Sequence, residues 1–295
     1  MAHEGIEIAE AILRGAAVRD LTEGDGKYRH RVSAVSRCIR DMVMHARGVP
    51  WSNPPQSEHG RQIVFDQGHD IEDRVIKYME NGGFQVTCQQ LQVTARTPAR
   101  SIPVPGHIDG IVIMPEGMPR AGQWLLMDVK SIGSYGYRMV YDGKRSKPKP
   151  EHMAQLSVYA HGIVTDPKYP DVNGFRLRDL KFGDATFGGC IVVYCCKERP
   201  KKGYGPKAVE LPFMTTTLFD VDESDTYVSL DLYDEVERHL EEGTIPDIPS
   251  PDDPMVWGRE TKGVYTAIRC NPRWCARYDV CQGRVDMEFN DSKEG

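Results

Sequence analysis

The sequence lacks any apolar run approaching the ~18 residues of a membrane span. Its first residues, Met1-Ala2-His3-Glu4-Gly5, have neither the basic flank nor the apolar stretch of an export signal. These absences predict a cytoplasmic chain with no membrane partner. A basic excess is also missing, since 37 Lys plus Arg stand against 43 Asp plus Glu for a net charge of −6. Nucleic-acid binding is therefore not announced by the whole molecule and would have to be local. Basic clusters occur at Lys144, Arg145, Lys147 and Lys149, and at Lys197, Arg199, Lys201 and Lys202. A solvated loop accounts for either cluster equally well. Eight cysteines in 295 residues fall below the ~8–10% of a disulfide scaffold. With 40% apolar and 27% charged residues and no internal repeat, the composition excludes wholesale disorder and is that of a globular chain.

What is present is an alternation of helical and strand patterns. Ile6, Ala9, Ile12 and Leu13 fit one helical face, Thr22 to Lys27 breaks it, and a second helix is predicted from about Ser33 through Cys38, Met42 and His45 to Gly48. From Gly60 to Asn81, Ile63, Val64, Ile71, Val75, Ile76 and Met79 recur at helical spacing, and Gly82-Gly83 supplies a stop. Strand alternation follows in Phe84–Cys88, Leu91–Thr94 and around Ile111 and Ile113. Trp124–Val129 and Gly189–Cys196 read as more deeply buried strands. Glu151–Ile163 and Glu223–Glu242 read as helices, the latter with Tyr227, Leu230, Tyr233, Val236 and Leu240 on one stripe. Residues 245 to 260 read as a Pro- and Asp-rich linker, and the tail after Phe289 as frayed. The fold class is α/β, divided into an N-terminal helical segment (1–59), a core (60–215) and a C-terminal helix with a cysteine cluster region (216–295).

Two charged residues protrude from one of the buried strands. Asp128 and Lys130 lie two apart, so both leave the same face, while Met127 and Val129 turn the other way. Ionised groups there cost several kcal/mol unless paired or joined to a metal. Gly106-His107-Ile108-Asp109-Gly110 places another carboxylate at the start of the preceding strand, with glycines that allow close approach. Paired carboxylates suit a hard cation such as Mg²⁺, which keeps several waters and can bind phosphate oxygens. A structural ion pair is the simpler alternative. His69 and Glu72 share one face of the helix from Gly60, and Gln155 and Tyr159 share a face of the later one.

In order, Gly68-His69, Gly106-His107-Ile108-Asp109, Asp128-Val129-Lys130 and Gln155-Leu156-Ser157-Val158-Tyr159 resemble the motif series of RecB-type nucleases in the PD-(D/E)XK superfamily. The resemblance covers roughly residues 60 to 200. It implies a restriction-endonuclease-like mixed central sheet flanked by helices, and hydrolysis of DNA phosphodiesters with Mg²⁺ or Mn²⁺. Carried over, Asp109 and Asp128 become metal-binding carboxylates, His69 a further metal ligand, Lys130 the catalytic lysine, and Gln155 and Tyr159 the DNA-facing pair. Glu72 and His107 receive no role beyond supporting positions.

Cys270, Cys275 and Cys281 fall within a dozen residues, and a shared ion is the economical reason. Thiolates select zinc or iron–sulfur clusters, both of which take four ligands, and Cys38 is the candidate fourth. One cysteine before the motifs and three after resembles the iron–sulfur subgroup of RecB-like nucleases, including AddB-type and CRISPR-associated exonucleases, which implies a 4Fe–4S cluster. Four residues separate Cys270 from Cys275, where that subgroup has two, so zinc and reduced thiols stay open. The combined expectation is an exonuclease acting on DNA ends or single strands, with recombination, repair or CRISPR-adaptation proteins as partners. A double-strand endonuclease and a non-catalytic DNA-binding or scaffold protein with a structural zinc are the competing readings.

Overall fold

The structure is a computed structural model that describes residues 28–35, 37–50, 52, 58–141, 148–166, 168, 181–202, 208–248, 258–261, 264–267, 275 and 277–283. The helix expected over Ile6–Leu13, Cys270 and the basic positions Lys144, Arg145 and Lys147 lie outside the described residues. The chain divides into two compact units, one built around Gly68–Asp231 with His30–Ser36, the other taking in Arg37–Gln67 and Leu232–Gly295.

In the first unit a mixed sheet carries the elements. Its strands are β1 (Gln85–Thr87), β4 (Gly110–Ile113), β5 (Gln123–Ile132), β7 (Ala185–Cys196) and β10 (Met214–Phe219), in the order β1-β4-β5-β7-β10, with β6 (Lys181–Phe182) also paired to β7. β5 and β7 run parallel, and the other pairings are antiparallel. A parallel pair needs a crossover. It contains α3 (Ser134–Tyr141) and α4 (Pro150–Thr165). β2 (Leu91–Arg96) and β3 (Pro103–Ile108) form a separate ribbon, and β8 (Lys201–Lys202) pairs with β9 (Val209–Glu210).

The two faces of β5 differ because its side chains alternate. Leu125, Met127 and Val129 pack with Val75 and Ile76 of α2 (Glu58–Asn81) and with Ile191 and Val193 of β7. Gly83, at φ +87°, follows the end of α2. Tyr159 and the α4 helix belong to the opposite face, where α4 runs tightly over β2: a methyl added at Gly162 would lie 3.2 Å from the Ala95 amide. Gly188 and Gly189 occupy the register shift between β5 and β7. Gly189 has φ +101°, and a Cβ there would meet Phe219 O at 2.6 Å.

Several elements depart from the sequence reading. The predicted helix from Ser33 splits into a 3₁₀ turn at Val32–Ala34 and α1 (Ile39–Ala46), because Cys38 adopts extended backbone (φ −65°, ψ 125°) at the helix start. Tyr135 and Tyr137, just after Lys130, lie on α3, a helix that the sequence reading did not include. The linker region contains β11 (Gly258–Thr261), which pairs with β12 (Val264–Ala267). Along α5 (Glu223–Glu241), Leu230, Tyr233 and Val236 are buried, but Tyr227 is exposed with its ring edge-on to His161.

In the second unit Met44, Val49 and Val280 form a small core with Ile245 against it. Arg277 is buried beside it, donating from Nε to Val49 O at 2.8 Å and from Nη1 to Asp41 Oδ1 at 2.9 Å. Asp41 lies in the first turn of α1 and Val49 just beyond its end, while Arg277 precedes α6 (Tyr278–Cys281). No helix among the described residues is long and apolar enough to cross a membrane.

Candidate active site

Asp128 and Lys130 sit midway along β5, and their side chains meet: Lys130 Nζ donates to Asp128 Oδ1 at 2.7 Å. Asp109 occupies the break between β3 and β4 rather than a strand proper. From there Asp109 Oδ2 accepts the Val129 amide at 2.7 Å, which ties the two carboxylates to one stretch of backbone. Asp128 is buried, and its Oδ2 has no hydrogen-bond partner among the described residues. An orphaned carboxylate oxygen in a low-dielectric site is costly and therefore informative.

The electrostatics follow from crowding. Burial, followed by the charges of Asp128 and Glu72, pushes the Asp109 carboxyl up to about 8. Burial also lifts Asp128, with Lys130 acting against it. Desolvation works against the Lys130 ammonium, yet Asp128 and Asp109 offset this and hold it above the usual lysine value. Glu72, buried on α2 and bonded by Gln90 Nε2, is raised by burial. One ammonium thus faces two carboxyl groups, with Glu72 adding to the field at Asp109, an arrangement that a further cation would relieve.

Gln155 and Tyr159 of α4 lie at the same place. Gln155 Nε2 donates to Tyr159 Oη at 3.3 Å, and Tyr159, raised to about 12 chiefly by burial, is within electrostatic reach of Asp128, Lys130 and Asp109. Tyr159 fits because residue 106 is glycine. A Cβ there would stand 2.6 Å from Tyr159 Cε1. His69 is differently placed: its side chain is 71% exposed, and its nearest acid is Glu72, Nδ1 to Oε2 3.8 Å. Among the described residues no three His, Cys, Asp or Glu side chains gather closely enough to hold an ion together. His69 is thus set beside Glu72, and a divalent cation that keeps most of its waters needs only one or two carboxylates. By that measure Asp109 and Asp128 fit a Mg²⁺ or Mn²⁺ ion. His107 is exposed on β3.

Two residues at the site escaped the sequence reading. Tyr194 is the β7 register partner of Lys130 and is fully buried. Its hydroxyl accepts the Lys149 amide at 3.1 Å and stands 2.9 Å from His152 Nδ1. The signal available was spacing, since His152, Gln155 and Tyr159 follow the i, i+3, i+7 rule of one helix stripe. Of the second basic cluster, Arg199 is neutralised by Glu210 at 2.8 Å, and Lys201 and Lys202 are exposed on β8.

In the second unit Cys38 and Cys275 are half-buried and Cys281 is buried. Burial pushes the Cys38 and Cys275 thiols up to about 11, and each is raised further by the Cys281 thiol. Arg40 Nε donates to Cys281 Sγ at 3.2 Å. Three thiols within mutual electrostatic range form a donor set suited to a soft cation, although the three described thiols do not by themselves converge on one point. Cys190 and Cys196 are buried and Cys195 half-buried in β7, as small apolar side chains.

No protein-family model matches the sequence, and no curated protein matches it. Among solved structures the chain is similar to one named as the crystal structure of SSO0001, at 12% identity and a TM-score of 0.41, covering 78% of this chain and 85% of that one.

Proposed function

We propose that the chain is a metal-dependent nuclease of the RecB type that hydrolyses DNA phosphodiesters. The observation that carries this reading is the buried, unpartnered Asp128 Oδ2, beside Lys130 and within the field of Asp109. The sheet with a parallel β5–β7 pair at its centre and α2 and α4 on its two faces is compatible with a restriction-endonuclease-like fold.

Asp109 and Asp128 would hold a Mg²⁺ or Mn²⁺ ion, which when bound supplies a Lewis acid for the phosphate and makes water more acidic. Lys130, kept protonated by both acids, orients the attacking water and neutralises charge that develops on the phosphate. Gln155 and Tyr159 face the DNA from α4. Cys38, Cys275 and Cys281, with Cys270, form the thiol set for a 4Fe–4S cluster, zinc being the other occupant their chemistry admits. Action is assigned to DNA ends or single strands, in association with recombination, repair or CRISPR-adaptation proteins.

End-labelled linear DNA and covalently closed circular DNA, incubated with Mg²⁺, Mn²⁺ or chelator, test this reading. Metal-dependent shortening of the linear substrate alone is the expected result. Cutting of the circle would make the chain an endonuclease, and intact DNA under every condition would make it a non-catalytic binder.

A further inference from the structure

Three acids at the site are held in the same way. Asp109 Oδ2 accepts the Val129 amide at 2.7 Å, Asp128 Oδ1 accepts the Lys130 ammonium at 2.7 Å, and Glu72 Oε1 accepts the side-chain amide of Gln90 at 2.5 Å. One oxygen of each carboxylate is thereby fixed by a protein donor. The second oxygen is left over in two of them: Asp128 Oδ2 is buried with no partner among the described residues, and His69 Nδ1 stands 3.8 Å from Glu72 Oε2, too far for a hydrogen bond. The charge of Glu72 is felt at Asp109, and that of Asp128 at Glu72, so the three acids share one field.

Gln90 reaches Glu72 from a strained backbone. It lies in the turn between β1 and β2, where the Leu91 amide donates to Cys88 O at 3.3 Å. Cys88 (φ +53°) and Gln90 (φ +52°) are both left-handed there, a region that glycine or asparagine fills more readily than a longer side chain. Gln90 is also exposed, so core packing does not call for its side chain. A strained, exposed position that nevertheless carries a long amide, and spends it on a carboxylate 18 residues away, points to that carboxylate as the reason.

A hard dication held by Asp109 and Asp128 keeps most of its waters. Among the described residues no three acids close around one point, so a third acid acts on a retained water, a contact nearly as favourable as a direct hydrogen bond. We infer that Gln90 is a positioning residue for metal binding, fixing Glu72 through Oε1 so that Oε2 accepts a hydrogen bond from a water of the ion at Asp109 and Asp128. The inference rests on the nuclease reading and adds to it a third acid and the residue that aims it. Without the amide, Glu72 would have to be ordered from several rotamers each time the ion binds.

Titration of Mn²⁺ into the full chain, with the free ion read from its electron paramagnetic resonance signal, tests it beside thermal unfolding in chelator. Gln90→Ala, and Gln90→Gly with its relaxed backbone, are both expected to weaken Mn²⁺ binding about five-fold, the size of one lost hydrogen bond. Glu72→Gln, which keeps a partner for Gln90 but removes the charge, is expected to weaken it at least as much. In the Glu72→Gln background Gln90→Gly should change the affinity by less than about two-fold, because Gln90 acts through Glu72; a second full loss there overturns the inference. If both Gln90 variants keep the wild-type Mn²⁺ affinity and lower only the melting temperature in chelator, the bond is a clip between turn and helix and the inference falls, while a wild type that cleaves DNA with Mn²⁺ leaves the nuclease reading standing. Should the wild-type chain bind no Mn²⁺ and cleave no DNA, the nuclease reading fails and this inference with it, an outcome distinct from variants that match an active wild type.

Discussion

Replacing Gly106 by alanine perturbs one contact that the structure specifies closely. The added methyl would stand 2.6 Å from Tyr159 Cε1, 3.0 Å from Val32 Cβ and 3.1 Å from Tyr159 Oη. Contacts of that length require movement, and Tyr159 is only 4% exposed, so its ring has little room to yield. Overpacking of a filled core costs about 1–3 kcal/mol. Gly106 does not have a positive φ, so alanine also gains about 0.4–1 kcal/mol by restricting the unfolded chain. The net expectation is a loss of about 1–2 kcal/mol, or roughly 2–8 °C in Tm for a domain of this size. Thermal unfolding followed by circular dichroism measures it. Tyr159→Leu in the Gly106→Ala background should restore part of the loss, because it removes the ring atoms that the methyl meets. A Gly106→Ala chain as stable as wild type, or equal destabilisation with and without Tyr159, would refute the argument that glycine is required so that Tyr159 can approach the acids.

Asp128→Ala and Lys130→Ala should each abolish metal-dependent cleavage while the far-ultraviolet dichroism stays that of the wild type; wild-type rates in either variant remove the residue from its proposed role. Because the folded-state pKa of Asp109 is raised to about 8, the folded chain carries a proton that the unfolded chain has lost between about pH 4 and 8. Stability without added metal should therefore fall as pH rises through that window, and the Tm gain on adding Mg²⁺ should be larger at pH 8.5 than at pH 6; a gain independent of pH contradicts the coupling. Arg277→Ala removes the guanidinium bonded to Val49 O and Asp41 and should cost about 3 kcal/mol in urea unfolding, with Asp41→Asn costing less. Cys275→Ala should lower iron and acid-labile sulfide in anaerobically purified protein; a fully loaded variant would take Cys275 out of the thiol set, and zinc without sulfide in the wild type would replace the cluster by a zinc site.

Helices and strands with strong period were legible from the residues. α2 and α5 announce themselves by apolar residues at helical spacing, and β5 and β7 by short apolar runs, since burial of one stripe or of both faces dictates those patterns. The pairing of Asp128 with Lys130 was equally readable, because side chains two apart on a strand leave the same face. Short or half-exposed elements were not. β8 and β9 have two residues each, and α3 begins directly after Gly133 with tyrosines that carry no clear apolar period.

The chain's own order of residues determined the core elements, the charged pair on β5 and the clustering of thiols near the C-terminus, since each depends on local spacing alone. Tertiary structure decided the rest. That Asp109 caps the Val129 amide, that His69 stays out in solvent, and that Tyr194 reaches His152 across 42 residues of sequence all depend on which strands neighbour one another. Strand order and the parallel β5–β7 register are fixed by how the sheet buries its two faces against α2 and α4, and no local period encodes that choice.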